Sequence, residues 1–422
     1  MPTTVVVGGQ WGDEGKAKMV DYYAKDMDMV VRYQGGANAG HTVIAEGKKY
    51  VFHLIPSGIL YPETVCVIGN GVVFEPEAFF AEVEMLRSHN IDFAKRIFIS
   101  SRAHVIMPYH KAIDGLAEKS SGDRIGTTKR GIGPAYTDKM SRVGIRVADL
   151  LSRKTLRAKI EAALPEKNAI LAFYGEKPMT VEPIVDAYTT FGEKLAPYIE
   201  DVVYRVNDMV RAKKNVLFEG AQGAGLDIDF GTYPFVTSSN PTSAGACTGS
   251  GVGPNAIDRI VGVCKAYVTR VGGGPLPTRL IGAEEENLRK IGGEYGATTG
   301  RPRGCGWFDG VQMKFSSMIN GFTDIALTKM DIFNTFESIQ VCTGYRIDGK
   351  VTDTFPADSD ELFRAEPVYE TLEGWKSDIC AVRTFGELPR KAKEYIRFLE
   401  SLVGVRVSVI SVGADREAMV VR

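Results

Sequence analysis

Residues 3–18 read TTVVVGGQWGDEGKAK. Thr3–Val7 is an apolar, β-branched run of strand length. It feeds a glycine-rich turn, Gly8–Gly15, that ends in Lys16. A strand, a glycine turn and a helix from Lys16 onward would gather unsatisfied backbone N–H groups and a positive dipole end at one place. That is a ready site for phosphate, to which Lys16 adds a point charge. The usual phosphate-binding loop has Gly, four residues, Gly, Lys and then Ser or Thr. Here the earlier glycine is Gly9, one place too early, and Ala17 stands where the magnesium-binding hydroxyl belongs. Asp13 and Glu14 sit inside a loop built for polyanions. A carboxylate there can coordinate Mg²⁺ bridging phosphate oxygens, or it can act as a base beside the transferred group.

Similar strand-like runs recur along the chain: Met29–Tyr33, Val65–Ile68, Arg96–Ser100, Asn215–Phe218, Ile260–Val268, Thr323–Leu327 and Val405–Ile410. Amphipathic helical stretches such as Pro76–His89 and Leu388–Leu402 separate them. The alternation predicts an α/β fold with a mainly parallel central sheet. Glycine turns fall at strand ends, at 8–15, 35–40, 69–71, 220–225 and 272–274, where ligands of open α/β sheets bind. Several loops are therefore expected to converge on one site. Residues 149–214 read as a helical insertion interrupted by Pro165 and Pro178, and residues 1–422 as a single domain without internal repeats.

The chain has 422 residues, 44% hydrophobic and 24% charged, with a net charge of −1. No global field favours nucleic acid or an anionic membrane, so any anion site must be local. No apolar run reaches membrane-spanning length, and the first strand lacks the flank of a signal peptide. Six scattered cysteines without a CxxC favour reduced thiols over a disulfide framework or zinc. All five histidines lie between His41 and His110, which leaves little for a histidine metal site.

Further segments carry chemistry. RYQGGANAGHT (32–42) brings Asn38, His41 and Thr42 after a strand, and His41 can bond a phosphate or leaving oxygen. RIGTTKRGIGPAYTDKMSR (124–142) is a polar turn suited to a phosphate monoester. LFEGAQGAGLDIDFGTYPFVTSSN (217–240) offers the Gln222 amide. YGATTGRPRGCGW (295–307) has two arginines placed to clamp an anion. DIALTKMD (324–331) ends a strand in Lys329 and Asp331; a carboxylate there accepts from guanine N1–H and N2–H₂ but faces an acceptor on adenine. These features fit a regulatory GTPase or an enzyme that couples GTP to a second substrate. The lack of Ser or Thr after Lys16, the distance from the loop to residues 328–331 and the number of anion loops weaken the switch reading. A non-catalytic scaffold would need neither Asp13 nor His41.

GQWGDEGKAK, QGGANAGHT, GTTKRGIGPAY, FEGAQG with DIDFGTYPFVTSSN, KAYVTRVGGGP, TTGRPR and TKMD occur in the order found in adenylosuccinate synthetases, which the chain resembles from Val5 to the SVG at 411–413. The resemblance implies a large mainly parallel sheet flanked by helices, P-loop-NTPase-like, with helical and loop elaborations. It implies GTP-dependent joining of IMP and L-aspartate to give adenylosuccinate, GDP and phosphate through 6-phosphoryl-IMP. Asp13, His41 and Gln222 match the catalytic set. Gly12, Asp13, Glu14, Gly15, Lys16, Ala17, Lys18, Gly40, His41, Thr42, Arg303, Lys329, Met330, Asp331, Ser411, Val412 and Gly413 match GTP contacts. Asn38, Ala39, Thr128, Arg142, Gln222, Thr237 and Arg301 match IMP contacts, with Arg142 delivered from a second subunit. Residues Ala297, Thr298, Thr299, Gly300, Arg301, Pro302 and Arg303 match the L-aspartate loop. Mg²⁺ would be held by Asp13 and Gly40. The implied protein is a cytoplasmic homodimer with no nucleic-acid or membrane partner. A viral group of relatives that use a 2-amino purine lacks the aspartate matched by Asp13. Ala17 and Lys129 replace glycines common in the family, Pro302 separates the two loop arginines, and Gly304 replaces a basic residue; Pro302 is expected to stiffen its loop.

Overall fold

The computed structural model describes residues 3–45, 48–120, 126–296 and 300–422. Its frame is a ten-stranded sheet: β1 Thr3–Gly8, β2 Met29–Arg32, β3 Val65–Ile68, β4 Ile97–Ser100, β5 Ile199–Glu200, β6 Val216–Glu219, β7 Arg259–Lys265, β8 Asp324–Thr328, β9 Val407–Ser411 and β10 Met419–Val421. The order across the sheet is β10-β9-β8-β7-β1-β6-β2-β3-β4-β5. Only β10 runs antiparallel to its neighbour. β1 lies inside the sheet, with Val5 opposite Phe218 on one side and Ile260 on the other. Val5, Val6, Val7, Leu217 and Phe218 have no exposure. Covering both faces of a parallel sheet demands such continuous apolar strands.

Two large apolar clusters fill the interior. One joins Val5, Val7, Val31 and Phe218 to Tyr395, Ile396 and Leu399 of the helix Arg390–Val403. The other gathers Ile68, Ile97 and Ile99 with the helices Pro76–Ser88, Arg153–Phe173 and Val181–Leu195. The carboxyl ends of β1, β2, β6, β8 and β9 run into the glycine and polar loops singled out above.

Three expectations need correction. The run Ile260–Val268 is not one strand: β7 stops at Lys265, and Tyr267–Arg270 turns away to pair antiparallel with Gly304–Asp309. Those strands begin a second sheet that continues through Ser338–Ile347, Lys350–Thr352 and Glu366–Glu373. Its outer strand Glu366–Glu373 has no buried position, so no apolar alternation marks it. Pro165 does not interrupt its helix, which runs unbroken from Arg153 to Phe173. Leu156, Ile160, Leu164 and Leu171 bury one face of that helix, and this packing outweighs the hydrogen bond that proline removes. Segment 149–214 also contributes the edge strand β5 to the main sheet.

Phe218 fills the centre of the sheet with no exposure. Phe218→Ala should lower unfolding free energy by about 3–5 kcal/mol, measurable as a drop in the denaturant midpoint with an unchanged slope.

Candidate active site

The loop after β1 is folded around the Glu14 carboxylate, which has no exposure. Its Oε1 accepts from the backbone N–H of Gln10 at 3.0 Å and of Gly12 at 2.8 Å. Its Oε2 pairs with the Lys16 ammonium. The Thr328 hydroxyl, at the end of β8, donates to the Glu14 carbonyl at 2.6 Å. Glu14 is therefore turned into the loop, and only its backbone can face a nucleotide. A Cβ at Gly223 would lie 2.4 Å from both Glu14 Oε1 and the Gln10 carbonyl, so the loop after β6 packs on this one at glycine distance. Asp13 takes the opposite orientation. Its φ is 58°, a left-handed value that tips the side chain outward, and that side chain is 42% exposed. One oxygen lies 2.8 Å from Arg303 Nε. The N–H is not aligned on the oxygen, so the contact is ionic rather than a formed hydrogen bond.

The helix Lys16–Ala24 begins after Gly15, whose φ is 85°. Ala17 packs its methyl against the second apolar cluster, which is how the sequence accommodates it in place of glycine. Lys18 reaches the other end of the chain: its ammonium donates to Ser411 Oγ at 2.8 Å, the Gly413 carbonyl at 2.8 Å and the Ala418 carbonyl at 3.1 Å. Burial brings the Lys18 ammonium down to about 8, although Asp331 and Asp415 pull the other way. Asp331 follows β8, and burial raises its pKa. Its Oδ1 is buried and accepts no hydrogen bond among the described residues. An orphaned buried carboxylate oxygen needs a donor, and a purine N–H is one. Lys329, with φ 62°, donates to the Gly292 carbonyl at 2.9 Å. Met330 and Val412 are fully buried and can offer only backbone. Thr42 lines one small cavity with Lys18, Asp21 and Arg416.

His41 begins the strand His41–Ala45, and Gly40 before it is exposed. Nδ1 lies 2.5 Å from Oε1 of Glu219, the last residue of β6. The Ser57 N–H donates to the other oxygen at 3.2 Å, and the Arg32 guanidinium stands 3.7 Å away. Burial lowers the His41 pKa against the pull of Glu219. Glu219, itself buried, is brought down by His41 and Arg32. The carboxylate thus holds Nδ1, which leaves Nε2 to face the site. Beside it, Gln34 Nε2 donates to Gln222 Oε1 at 2.9 Å, and Gln222 Nε2 donates to Asn38 Oδ1 at 3.2 Å. Gln222 has φ 56°. Ala39, nearly buried, accepts from His53 Nδ1 through its carbonyl at 2.6 Å.

The loop 126–131 is shaped by one helix face. Glu118 accepts from the N–H groups of Gly126 and Thr127, at 2.6 and 3.2 Å, and Asp114 accepts from that of Gly131 at 2.8 Å. Thr128 is exposed on this loop. The helix Ile132–Ser141 is tied to the loop after β2 by Tyr136, whose hydroxyl accepts from the Gly35 N–H at 3.0 Å and donates to the Gly71 carbonyl at 2.7 Å. Thr237 is half-buried, its N–H on the Leu226 carbonyl at 2.9 Å. Arg142 stands apart, exposed at the end of its helix with φ 64°. Ala297, Thr298 and Thr299 lie outside the described residues. Gly300 and Arg301 return the loop as a hairpin, with their N–H and carbonyl on Gly296 at 2.8 Å each, and Pro302 bridges to Tyr295.

The geometry gathers the loops of residues 8–18, 38–42, 220–222, 303 and 328–331 at one end of the sheet. Glu219 and Gln34, which orient His41 and Gln222, had no role in the sequence reading. The one signal for Glu219 was a carboxylate closing an apolar strand. A buried carboxylate–imidazole pair, a glycine loop carrying an outward acid and a buried carboxylate oxygen that lacks a donor among the described residues fit an enzyme that works on nucleotides.

The adenylosuccinate synthetase family model matches residues 5–420. The chain is 50% identical to the adenylosuccinate synthetases of Salinibacter ruber and Clostridioides difficile, covering all of this chain and 98% and 99% of theirs. Its fold matches the fully ligated Plasmodium falciparum adenylosuccinate synthetase with a TM-score of 0.93, at 37% identity over 99% of each chain. A cyanophage S-2L succinoaminodeoxyadenylate synthetase shares the fold only, at TM-score 0.61 and 18% identity over 99% of this chain and 94% of that one. The chain belongs to the adenylosuccinate synthetase family, and its activity is GTP-dependent joining of IMP and L-aspartate in AMP synthesis.

The lowered Lys18 pKa has a readable consequence. At pH 8 an amine-acylating reagent should label Lys18 faster than exposed lysines such as Lys376, and GTP should protect it. Peptide mapping after partial labelling checks both; labelling of Lys18 no faster than the surface and indifferent to GTP would remove it from the pocket.

Proposed function

We propose that Asp13 is the base of this reaction. It takes the N1 proton of IMP, so that O6 attacks the γ-phosphorus of GTP as the bond to the β-phosphate oxygen breaks. The aspartate amine then attacks C6, the C6–N bond forming as the C6–O bond breaks, and the oxygen leaves in phosphate. A purine carbonyl is a poor leaving group and phosphorylation makes it a good one; a placed base adds about 10²–10⁴-fold to such a step. The observation that carries the reading is the opposed orientation of two adjacent carboxylates: Glu14 turned wholly inward and Asp13 outward. His41 acts on the transferring phosphoryl group through Nε2, because Glu219 holds Nδ1 and so orients the ring. Gln222, fixed by Gln34 and Asn38, supports charge on the purine.

Asp331 recognises guanine through the unpaired Oδ1, with Lys329 beside it and Ser411, Val412 and Gly413 closing the pocket. Gly12, Gly15, Lys16, Ala17 and Lys18 take the phosphates. Thr128, Thr237, Arg301, Asn38 and Ala39 take IMP, and residues 297–303 take L-aspartate. The donor set suits Mg²⁺, a hard ion that commonly binds one or two carboxylates together with substrate phosphates. Asp13 and the exposed Gly40 would hold it, where it would offset phosphate charge. Residues 1–422 act as one domain, in the cytoplasm. Arg142 acts in a second subunit: it stands outside its own site, and Met140 and Val143 beside it are 71% and 42% exposed. Exposed apolar residues flanking an arginine with no side-chain partner among the described residues fit a homodimer interface.

Absorbance should change only when IMP, L-aspartate, GTP and Mg²⁺ are all present. Asp13→Ala should abolish turnover with GTP affinity nearly unchanged; near-normal turnover would sink the base assignment. Arg142→Leu should raise the KM for IMP, and mixing it with Asp13→Ala should restore part of the activity through hybrid dimers. No recovery on mixing would remove the shared site.

A further inference from the structure

Behind Arg303 lies a pair of charges that the reaction as described does not use. Glu294 and Lys265 are each 1% exposed. Glu294 Oε1 receives the Lys265 ammonium at 2.7 Å and the Tyr267 hydroxyl at 2.6 Å. Its Oε2 receives Arg303 Nη1 at 2.6 Å. Lys265 also donates to Thr269 Oγ1 at 2.7 Å. The backbone repeats the tie: the Arg303 N–H donates to the Glu294 carbonyl at 3.0 Å. Burying an ion pair is poor economy for stability alone, since apolar residues of the same size do as well or better. A buried pair that terminates on a site arginine has another use.

We propose that Glu294, held by Lys265 and Tyr267, is a positioning residue that sets the Arg303 guanidinium for the carboxylate of L-aspartate. The four charges alternate from the surface inward: Asp13, Arg303, Glu294, Lys265. Arg303 is shared between a partly exposed carboxylate in front and a buried one behind. Asp13 must let go of Arg303 to act on IMP. Without Glu294, the guanidinium released by Asp13 would have no partner and would swing with its flexible stem. With Glu294, one edge stays fixed and the face that Asp13 vacates is left for a substrate carboxylate. The anchor itself is rigid. The hydroxyl of Tyr267 packs so closely on Gly292 that a Cβ there would lie 2.5 Å from it, and Lys329 holds the Gly292 carbonyl. Hence the helix Ala283–Gly292 ends at a fixed point two residues before Glu294.

The inference rests on Arg303 being part of the aspartate clamp. The test is steady-state kinetics and thermal melting of the full-length enzyme with Glu294→Gln, Tyr267→Phe, Arg303→Leu and the double variant Lys265→Met/Glu294→Gln. Glu294→Gln should raise the KM for L-aspartate about 10- to 100-fold, the range set by one hydrogen bond to a charged group. The KM values for GTP and IMP should move less than about threefold. Tyr267→Phe, which removes one hydrogen bond and no charge, should give a smaller rise in the same constant. In the double variant the melting temperature should recover toward wild type while the KM for L-aspartate stays high. Overturning results are an unchanged aspartate KM in Glu294→Gln, or recovery of that KM with stability in the double variant. Arg303→Leu separates the two claims. If it raises the aspartate KM and Glu294→Gln does not, the positioning role is wrong; if neither does, the clamp reading falls and takes this inference with it.

Discussion

The Glu14 carboxylate is the interaction on which the nucleotide end of the molecule depends. An ordinary phosphate loop leaves its backbone N–H groups pointing at the ligand. Here two of them, from Gln10 and Gly12, are already taken by a carboxylate inside the turn, which also holds Lys16. The internal anion does for this loop what a bound phosphate does for the usual one: it gives converging donors a common acceptor. It also explains the broken sequence pattern. A loop templated from within needs glycine where its neighbours press on it, at Gly8 and Gly223, rather than only where phosphate approaches. With the turn fixed by Glu14, the next residue back can take a left-handed conformation and present its carboxylate outward. Asp13 is available because Glu14 is not.

Charge is handled the same way throughout the site. Net charge over the chain is close to zero, yet several buried charges at this end of the sheet are set against opposite partners. Burial alone would raise Glu294, but Lys265 and Arg303 bring it down to about 2. Glu219 is likewise held ionised by His41 and Arg32. In a low-dielectric interior, an ionised carboxylate fixes the orientation of whatever it touches, because moving the partner away leaves an uncompensated charge. Arg303 and His41 are therefore held by groups that cannot follow them outward. Asp331 differs: it is a half-buried carboxylate with one oxygen that accepts no hydrogen bond among the described residues.

Much of this was legible in sequence because the frame and the loops obey local rules. β1 to β4 and β6 appear as apolar runs, and their glycine turns mark the carboxyl ends where the site forms. What escaped was set by contacts distant in sequence. The second sheet starts inside a run that reads as one strand; only the geometry of Ala266, between β7 and the antiparallel strand at Tyr267, divides it. Glu294 belongs to a loop by its neighbours and to the core by its partners, 29 residues from Lys265. Glu219 meets His41 across 178 residues. No spacing rule connects such pairs. A carboxylate closing an apolar strand is the only local sign, and it is as common in surface loops.

The long-range character of the guanine side follows from strand order. β9 lies beside β8 and β10 beside β9, and Lys18 in the first helix bonds Ser411, Gly413 and Ala418. An ammonium with three oxygen partners but a depressed pKa is held more by geometry than by charge; its partners are neutral oxygens, and the carboxylates that favour its charge act from further away. Bringing a nucleotide into this pocket need not break that arrangement, because Lys18 ties the walls and Asp331 carries the unmet acceptor. The phosphate end contrasts with it: Lys16 is already paired there, and a phosphate must compete with Glu14 for the same ammonium. Under the proposed assignment of these residues, the base would meet a pocket whose walls Lys18 already ties, while the phosphates would have to draw Lys16 away from Glu14.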